Sequence, residues 1–404
     1  MTIDIGQVRA GFPALQRQVG GRTAAYLDGP GGTQVHESVI AAMNGFMERG
    51  GANVHGPFVT SAETEAVVEG ARAAVADLFG SDPDEVVFGQ NMTSLTYAMS
   101  RALARTWGRD ANIVVTRLEH DANVATWLQA AASVGVEVRF ADFDPADGCS
   151  LDLTSLAAAL DENTALVAFT HASNATGTIT PVKRIVDMAH AAGALTYVDA
   201  VHHAPHGIID VGESGTDFLA CSAYKWFGPH VGVVYGRREL LASVTPFKLR
   251  PSPDTSPDRW ETGTQSFESL AGVTAAVDYI ASHGTGATRR DQLVDAFATI
   301  GEYETTISDR FLAGLAEMPS VTLYGKPETR ERTPTFAIDL DGVEPGFVAE
   351  RLGEQGIFVW SGNYYAYEVM QRLGKPDGLV RIGFIHYNTL EEVDRTLAAI
   401  EALT

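Results

Sequence analysis

Short apolar runs alternate with amphipathic stretches along the chain until about residue 252. Seven runs have the composition of β-strands, at residues 85–90, 112–116, 137–141, 165–170, 195–198, 218–221 and 231–235. Between several of them, apolar residues recur at helical spacing, as Val68, Ala71, Val75 and Leu78 do in a helix predicted over 64–79. Strands that are apolar on both faces and alternate with helices indicate a mostly parallel, seven-stranded sheet covered by helices on both sides.

The pattern changes after about Ser252. A proline-rich loop leads to helical and strand-like segments at residues 267–283, 288–318, 335–340, 346–356, 357–360, 380–384 and 390–403. This part predicts a smaller α+β domain, so the fold class is α/β with a large domain and a small C-terminal domain. We expect the large domain over 21–283, the small domain over 284–404, and an N-terminal segment over 1–20 that joins the small domain.

The charge balance narrows the class of partner. Among 404 residues, 51 are Asp or Glu and 29 are Lys or Arg, which gives a formal net charge of −22. Such a chain repels phosphate backbones and anionic lipids, which argues against nucleic-acid and membrane-surface functions. An anionic substrate stays compatible with this charge, because local positive groups can dominate a cleft.

The cysteines and the chain start indicate a cytoplasmic protein. Cys149 and Cys221 are far apart and lack the spacing of metal ligands or of a disulfide framework. The first residues lack a basic start followed by an apolar run, and no stretch reaches 18 uninterrupted apolar residues. We therefore expect neither a membrane span nor a metal site.

Polar residues follow the ends of five predicted strands of the large domain. They are Thr93 and Ser94, His120, Asn174, Asp199, and Lys225. Because ligands bind at the carboxyl ends of strands in open α/β sheets, we expect these side chains at one rim. Pyridoxal 5'-phosphate (PLP) needs such a set: an amine for a Schiff base, a carboxylate for its pyridine nitrogen, and N–H groups and hydroxyls at a helix N-terminus for its phosphate.

Each residue is assigned one of these roles. The Schiff-base amine, the pyridine partner, the phosphate ligands, the ring-stacking partner and the groups near the phenolic oxygen are, in turn, Lys225, Asp199, Thr93 with Ser94, His120, and Asn174 with His202. Taken singly, each has a commoner interpretation, such as a surface lysine, a turn aspartate or helix-capping hydroxyls. Their order and their shared position at strand ends favour a cofactor site, with Lys225, Asp199 and His120 as the predicted catalytic residues.

These motifs resemble those of the class V aminotransferase and cysteine desulfurase group of fold-type I PLP enzymes. The likeness runs over nearly the whole chain, through the segments AAYLDGPGGT, GANVHG, DEVVFGQNMTS, LEHDANVATW, THASNATGTITPVKRI, YVDAVHHAPHGIIDV, DFLACSAYKWFGPHVGVVYG, ETGTQ and GLVRIGFIHYNTLEEVDR. The combination of SNATG, VDA and SAYKWFGP is specific. It implies PLP as cofactor, an amino-acid substrate and a large PLP-binding domain of fold type I.

The resemblance implies further site residues. Ser222 and Tyr224 match the family's Ser-x-His-Lys segment, with tyrosine in place of histidine. Thr264 in ETGTQ matches a threonine that binds the phosphate from the second subunit, which implies a homodimer with a shared active site. Arg381 in VRIGF matches the arginine that binds the substrate α-carboxylate. His55 in NVHG is expected to approach the substrate from the partner chain.

The small domain departs from the desulfurase pattern. Desulfurases of this group carry an Arg-Thr-Gly-His-His-Cys loop, whose cysteine becomes a persulfide. The aligned segment here begins at Trp360 and places Tyr365 at the nucleophile position. A phenol cannot form a persulfide, so that chemistry is not expected. Candidate walls of the substrate pocket are then Trp360, Asn363, Tyr364 and Tyr365. Asn174 is a further candidate substrate-binding residue, and Lys225 becomes the main candidate for proton transfer.

Several functions stay open at this point. The leading interpretation is a PLP enzyme that acts on an α-amino acid through an external aldimine, with C–S lyase chemistry by β-elimination ahead of transamination, epimerisation and decarboxylation by family proximity alone. The remote alternative is a non-catalytic PLP-fold binding protein, which the presence of Lys225 opposes. A nicotinamide oxidoreductase has little support, because no G-x-G-x-x-G lies between a first strand and helix.

Overall fold

A seven-stranded sheet forms the centre of the computed structural model, which describes residues 3–404. Its strands lie in the spatial order Val86–Gly89, Gly232–Gly236, Phe218–Ser222, Leu195–Asp199, Thr164–Thr170, Asn112–Thr116 and Glu137–Ala141. Gly232–Gly236 pairs antiparallel with both of its neighbours, and the remaining pairs are parallel. The predicted mostly parallel sheet is therefore confirmed.

The sheet divides the large-domain core into two layers. Along Asn112–Thr116, Val114 packs into one hydrophobic cluster, while Ile113 and Val115 pack into the cluster on the opposite face. This alternation follows from the two-residue period of a strand, and apolar residues on both sides require helices on both faces. The helices between residues 1 and 290 are Ile5–Ala10, Glu37–Arg49, Val59–Phe79, Met92–Ala104, Ala125–Val134, Leu153–Ala159, Val182–Ala191, Val211–Ser214, Arg238–Ser243 and Phe267–Ala281.

A four-stranded antiparallel sheet organises the C-terminal part. Its order is Val321–Tyr324, Thr335–Leu340, Leu379–Gly383 and Trp360–Gly362. The C-terminal helices are Arg289–Ala316, Pro345–Glu354, Tyr367–Leu373 and Leu390–Glu401. Phe311, Phe336 and Phe384 meet with ring centroids 4.7 to 6.0 Å apart in the core of this part. The C-terminal part, which the sequence predicts to be α+β, therefore has its own hydrophobic core.

Two details differ from the sequence prediction. The strand predicted over 357–360 is two strands: Ile357–Phe358 pairs with Ala25–Tyr26, and Trp360–Gly362 pairs with Leu379–Gly383. The helix predicted over 64–79 begins five residues earlier, at Val59.

The N-terminal segment contacts both parts of the molecule. Val8 and Phe12 belong to the core of the large sheet, whereas Arg9 forms an ion pair of 3.0 Å with Glu392 of the C-terminal helix. The segment therefore holds the two parts together, and the domain boundaries at 20/21 and 283/284 stay predictions.

Candidate active site

A cavity of about 860 Å³ opens at the carboxyl ends of the large-sheet strands, against the small sheet. It brings together eight of the predicted site residues, namely Thr93, His120, Asn174, Tyr224, Lys225, Trp360, Tyr365 and Arg381. They come from six separate segments of the chain: those with Thr93, His120, Asn174 and Lys225 follow strands of the large sheet, whereas those with Trp360 and Arg381 belong to the small sheet and the loop beside it.

Lys225 lies on the floor of this cavity. It ends a short 3-10 turn, Ala223–Lys225, that directly follows the strand Phe218–Ser222. Its Nζ donates a hydrogen bond to the carbonyl oxygen of Pro30. Burial, followed by the positive charge of Arg381, lowers the pKa of the Lys225 amine to about 7. An amine with this pKa is substantially unprotonated at neutral pH, as nucleophilic attack on a carbonyl requires.

Asp199 is a buried carboxylate at the end of the strand Leu195–Asp199. Its Oδ1 accepts a hydrogen bond of 2.9 Å from the backbone N–H of Val201. Burial raises the pKa of Asp199 to about 6. Beside it, burial raises the pKa of Glu119 to about 8, although this side chain accepts hydrogen bonds from Asn123 at 2.8 Å and from the Thr170 N–H at 2.7 Å. A cationic ring placed at this pair would favour ionisation of Asp199.

The helix Met92–Ala104 begins at the same rim. The side chain of Asn91 caps it by accepting a hydrogen bond of 2.9 Å from the Ser94 N–H, and Ser222 Oγ accepts one of 3.0 Å from the Met92 N–H. Thr93 lies between Met92 and Ser94 in the sequence, and it lines the cavity. A helix N-terminus with adjacent hydroxyls is suited to bind a phosphate group.

His120 precedes a short turn that follows the strand Asn112–Thr116. Its Nδ1 accepts a hydrogen bond of 3.0 Å from the Ala122 N–H, and its ring stacks on Tyr365 with centroids 5.5 Å apart. Burial, with the nearby charges of Lys225 and Arg381, lowers the pKa of His120 to about 4. The imidazole is therefore neutral near pH 7 and offers a flat face to an aromatic ligand.

Asn174, Arg381 and Tyr364 form one hydrogen-bonded group. Asn174 Nδ2 donates to the Tyr364 carbonyl oxygen at 2.9 Å, and Arg381 Nη1 donates to the Asn174 carbonyl oxygen at 2.9 Å. The guanidinium lies 4.4 Å from the centre of the Tyr364 ring. Asn174 Oδ1 and Arg381 Nε are buried and unpartnered within residues 3–404. A bound molecule would satisfy both atoms.

The loop that follows Trp360–Gly362 has an unusual backbone. Tyr364 and Tyr365 both adopt the left-handed conformation, with φ of 53° and 57°. Non-glycine residues rarely adopt this conformation, and surrounding contacts must hold them in it. The Asp121 N–H supplies one such contact, a hydrogen bond of 2.6 Å to the Tyr365 carbonyl oxygen.

The other predicted site residues lie outside this cavity. His202 is buried, with Nε2 3.1 Å from Thr333 Oγ1. Ser94 and Thr264 line a neighbouring cavity of about 430 Å³. His55 is exposed, and its Nδ1 lies 3.3 Å from Glu65 Oε1. Within one chain, Thr264 and His55 therefore do not line the cavity that contains Lys225.

Three features of the site were not predicted from the sequence. They are the Pro30 carbonyl that accepts from Lys225, the buried Glu119 beside Asp199, and Asp28. Burial raises the pKa of Asp28 to about 6, against the opposing charges of Arg381 and Lys225. The positions of the two acidic residues in the sequence are the signal that could have indicated them. Asp28 ends the apolar run AAYL, and Glu119 directly precedes His120.

These residues fit the parts that PLP requires. A buried amine of lowered pKa, a neutral imidazole and a helix N-terminus line one cavity, and two buried polar atoms there need a ligand. The buried carboxylate of Asp199 lies close enough to the amine of Lys225 for their charges to interact. In residues 3–404, His, Cys, Asp and Glu side chains form no group of three or more that could hold a metal ion. None of the helices in that range has the length and apolar character that a membrane crossing requires.

Comparison with known proteins agrees with this assignment. Residues 25–396 match the family described as aminotransferase class-V, so the chain belongs to this family of PLP-dependent enzymes of fold type I. Within it, the chain is of the cysteine desulfurase type. It is 32% identical to a cysteine desulfurase of Pectobacterium atrosepticum over 419 residues, covering 100% of this chain and 98% of the relative.

Other relatives and structures show the same likeness. An uncharacterized protein of Mycobacterium tuberculosis, MT3887, is 31% identical over 408 residues, and the match covers 100% of both chains. The apo cysteine desulfurase of Thermococcus onnurineus superposes with a TM-score of 0.90 at 29% identity, covering 100% of this chain and 98% of that one. The Escherichia coli cysteine desulfurase CsdA gives a TM-score of 0.87 at 26% identity, with the same coverage.

Proposed function

We propose that this protein is a PLP-dependent C–S lyase that cleaves the Cβ–S bond of an amino acid by β-elimination, without a protein persulfide. The observation that supports this is the state of the thiols. Both cysteines, Cys149 and Cys221, are buried, and neither lines the cavity that contains Lys225. Tyr364 and Tyr365 occupy the part of the cavity wall where a nucleophilic cysteine is expected from the family resemblance.

Both thiols are also chemically unsuited to attack sulfur. Burial raises the pKa of Cys149 to about 11 and that of Cys221 to about 12. The Cys221 sulfur in addition accepts a hydrogen bond of 3.3 Å from Trp226 Nε1. Since the thiolate is the nucleophilic form, neither residue is available for persulfide formation near neutral pH.

The remaining residues suffice for an elimination. When bound, PLP acts as an electron sink for a carbanion at Cα. We assign the Lys225 amine to hold the cofactor and then to take the proton from Cα, while Arg381 binds the substrate α-carboxylate. Breaking the Cβ–S bond sends the electron pair out on sulfur, which takes up a proton. The aminoacrylate that is left reacts with water to give pyruvate and ammonium, so the reaction needs no oxidant.

The cofactor roles are distributed as the sequence predicted. Asp199 would pair with the pyridine nitrogen, His120 would stack on the ring, Asn174 and His202 would serve the phenolic oxygen, and Thr93, Ser94, Ser222 and Tyr224 would serve the phosphate. What supports these assignments is that Thr93, His120, Asn174 and Tyr224 line the cavity together with Lys225, that the charges of Asp199 and Lys225 interact, and that Ser222 lies at the start of the helix that carries Thr93 and Ser94.

We also propose that the active enzyme is a homodimer in the cytoplasm. Thr264 and His55 do not line the Lys225 cavity of their own chain, and a second copy would bring them to its partner's cavity. His55 lies in a loop near three exposed apolar side chains, Met47, Phe58 and Val59. Exposed apolar groups of this size favour burial against another protein surface. The two free cysteines suit a reducing compartment.

The reaction is tested by identifying its products. PLP-loaded enzyme incubated with cysteine and S-substituted cysteines should release thiol, pyruvate and ammonium in equal amounts with no added acceptor. A keto acid formed only when an acceptor keto acid is added would refute the lyase and indicate transamination. Alanine formed together with sulfur bound to the protein would refute the absence of a persulfide.

Three variants test whether the thiols take part in the chemistry. Cys149→Ala and Cys221→Ala should both retain thiol release, because neither sulfur takes part. Lys225→Ala should lose it by about 10²-fold or more, the scale of a general-base contribution. Loss of turnover in Cys149→Ala with intact folding would overturn the proposal.

A further inference from the structure

The walls of the active-site cavity differ in charge from its floor. The described residues that line it include two cations, Lys225 and Arg381, and burial lowers the pKa of both side chains. Under the proposed function, one is committed to the cofactor and the other to the substrate α-carboxylate. The substrate side chain therefore meets the remaining lining groups.

Two of those groups are carboxylates without an ion-pair partner. Asp121 and Asp377 line the cavity, and neither side chain forms a salt bridge or hydrogen bond with another part of residues 3–404. The cations nearest in sequence are already engaged, since Arg117 pairs with Glu368 and Lys375 with Asp339. An anionic side chain would meet two acids there and no free cation.

The same wall presents aromatic faces. The Trp360 side chain is 51% exposed and the Tyr365 side chain 72% exposed, although both line the cavity. A Cβ at Gly31 would lie 2.4 Å from Trp360 Nε1, so a glycine is required for the indole to pack in this place. Aromatic faces attract cations within about 6 Å of the ring centre.

Tyr97, a third aromatic residue of the wall, does not belong to this set. Arg101 already lies 5.9 Å from the centre of its ring, and its hydroxyl accepts a hydrogen bond of 3.1 Å from Gln129. Within one chain, the groups of this wall that are available to a substrate side chain thus include Trp360, Tyr365, Asp121 and Asp377.

The cavity is large enough for a cofactor and a substrate together. Its volume of about 860 Å³ lies in the upper part of the range of roughly 300–1,000 Å³ that ligand pockets occupy. With the substrate α-carboxylate at Arg381, whose Nε is buried and unpartnered within residues 3–404, the substrate side chain extends towards the aromatic and acidic wall.

We infer that the preferred substrate is an S-substituted cysteine whose sulfur carries a cationic group, recognised by Trp360 and Tyr365 together with Asp121 and Asp377. This inference rests on the proposed function, because it takes the floor for the α-amino acid and the cofactor. Anionic S-substituents are disfavoured by the two carboxylates, and neutral ones of equal size fall between.

The test uses three cysteine thioethers of similar size on the PLP-loaded enzyme. They are S-(2-aminoethyl)-L-cysteine, S-propyl-L-cysteine and S-(2-carboxyethyl)-L-cysteine. The dissociation constant of each is measured from the change in the cofactor's visible absorbance, and thiol release is measured separately. We expect the cationic compound to bind at least about 10-fold more tightly than the anionic one at low salt, with the ratio falling as salt screens the exposed carboxylates.

Matched variants locate the selectivity. Asp121→Asn combined with Asp377→Asn should lower the cation-to-anion ratio at least about 3-fold, and Trp360→Leu should weaken binding of the cationic compound. Glu328→Gln, an exposed acid away from the cavity, should leave the ratio unchanged. Equal binding of the three compounds, or a ratio that the double variant does not alter, would overturn the inference.

Binding and cleavage report on different proposals. Charge-selective binding without thiol release would refute the C–S lyase and leave the inferred cation preference intact. Thiol release from all three compounds at equal efficiency would support the lyase and refute the cation preference.

Discussion

The guanidinium of Arg381 and the amine of Lys225 lie at the floor of one cavity, and the charge of Arg381 adds to burial in lowering the pKa of Lys225. Burial likewise lowers the pKa of Arg381, to about 10. Two buried cations that oppose each other's charge gain from an anionic partner, and an α-carboxylate bound at Arg381 would supply one. Substrate binding would thus change the proton affinity of Lys225 at the moment that amine has to act.

Arg381→Gln should raise the pKa of the Lys225 amine. Removal of the positive charge eliminates the repulsion that disfavours the ammonium form of Lys225, although burial still lowers its pKa. The pH dependence of Lys225 modification by an amine-reactive reagent, read by peptide mass mapping on cofactor-free protein, should move to higher pH. Arg372→Gln, which removes a guanidinium paired with Asp142 outside the cavity, is the control and should leave the curve in place.

Borohydride reduction of the PLP-loaded protein should label Lys225. Its buried Nζ has a lowered pKa and faces the cavity, whereas Lys183 is exposed and bound to Asp187 at 2.6 Å. Peptide mapping should place the pyridoxyl group on the segment that contains SAYKWFGP. A label on Lys183 or Lys248 would show that the cofactor site is wrongly assigned.

Gly232→Ala should weaken cofactor binding. A Cβ at this position would lie 2.3 Å from the backbone carbon of Asn91, which caps the helix that presents Thr93. The overlap must displace the helix start or the strand, at a cost of about 1–3 kcal/mol in the free energy of unfolding. Spectroscopic titration with PLP should show a higher dissociation constant.

The matched control is Gly301→Ala, inside the helix Arg289–Ala316, where an added Cβ meets no atom within 4 Å. This change should leave PLP affinity unaltered and raise the free energy of unfolding by up to about 1 kcal/mol, because alanine favours a helix. Unaltered PLP binding in Gly232→Ala would contradict the assigned phosphate site.

Acid should destabilise the protein through His203. This imidazole stacks on His171 with ring centroids 3.6 Å apart, and burial followed by the charge of His206 lowers its pKa from 6.5 to about 4. Between these two pH values the unfolded state binds the proton and the folded state does not, so the free energy of unfolding falls as the pH falls below 6.5. The contribution of His203 is at most about 3 kcal/mol.

The comparison of variants isolates this effect from other titrating groups. Urea unfolding of the wild type and of His203→Gln should be measured at pH 7.5 and at pH 4.5. The wild type should lose more stability than the variant over that interval, while the exposed-site control His55→Gln should match the wild type. Equal losses in His203→Gln and the wild type would refute the role of His203.

The sequence is sufficient to predict those elements that a local pattern of residues determines. The strand at Asn112–Thr116 was located to the residue, because its five positions are apolar or short and are all buried. The pairing of strands could not be predicted in this way, because it depends on segments that are distant in the sequence. The run from Ile357 to Trp360 looks continuous, yet its two halves pair with different strands, and no local signal at Val359 marks the change.

The candidate site shows the same limit. Lys225, Asp199 and Asn174 were predicted because each follows a recognisable strand. Asp28 and Glu119 were missed, since their positions, after an apolar run and directly before His120, do not by themselves show that folding will bury these carboxyl groups. Their raised pKa values arise from desolvation, which is a property of the assembled molecule.

The loop at Tyr364 and Tyr365 has a consequence for where the sulfur goes. The carbonyl oxygens of Tyr364 and Tyr365 accept hydrogen bonds from the Asn174 side chain and the Asp121 N–H. These bonds hold the loop in one position at the cavity, so it does not act as a mobile arm. A mobile loop that carries a sulfur atom can transfer it directly to a bound acceptor protein. A loop that is held in place cannot do so, and the sulfur-containing product then diffuses away. On the proposed reaction, the sulfur therefore leaves as a free small molecule, and its further use depends on the concentration of that molecule in the surrounding solution.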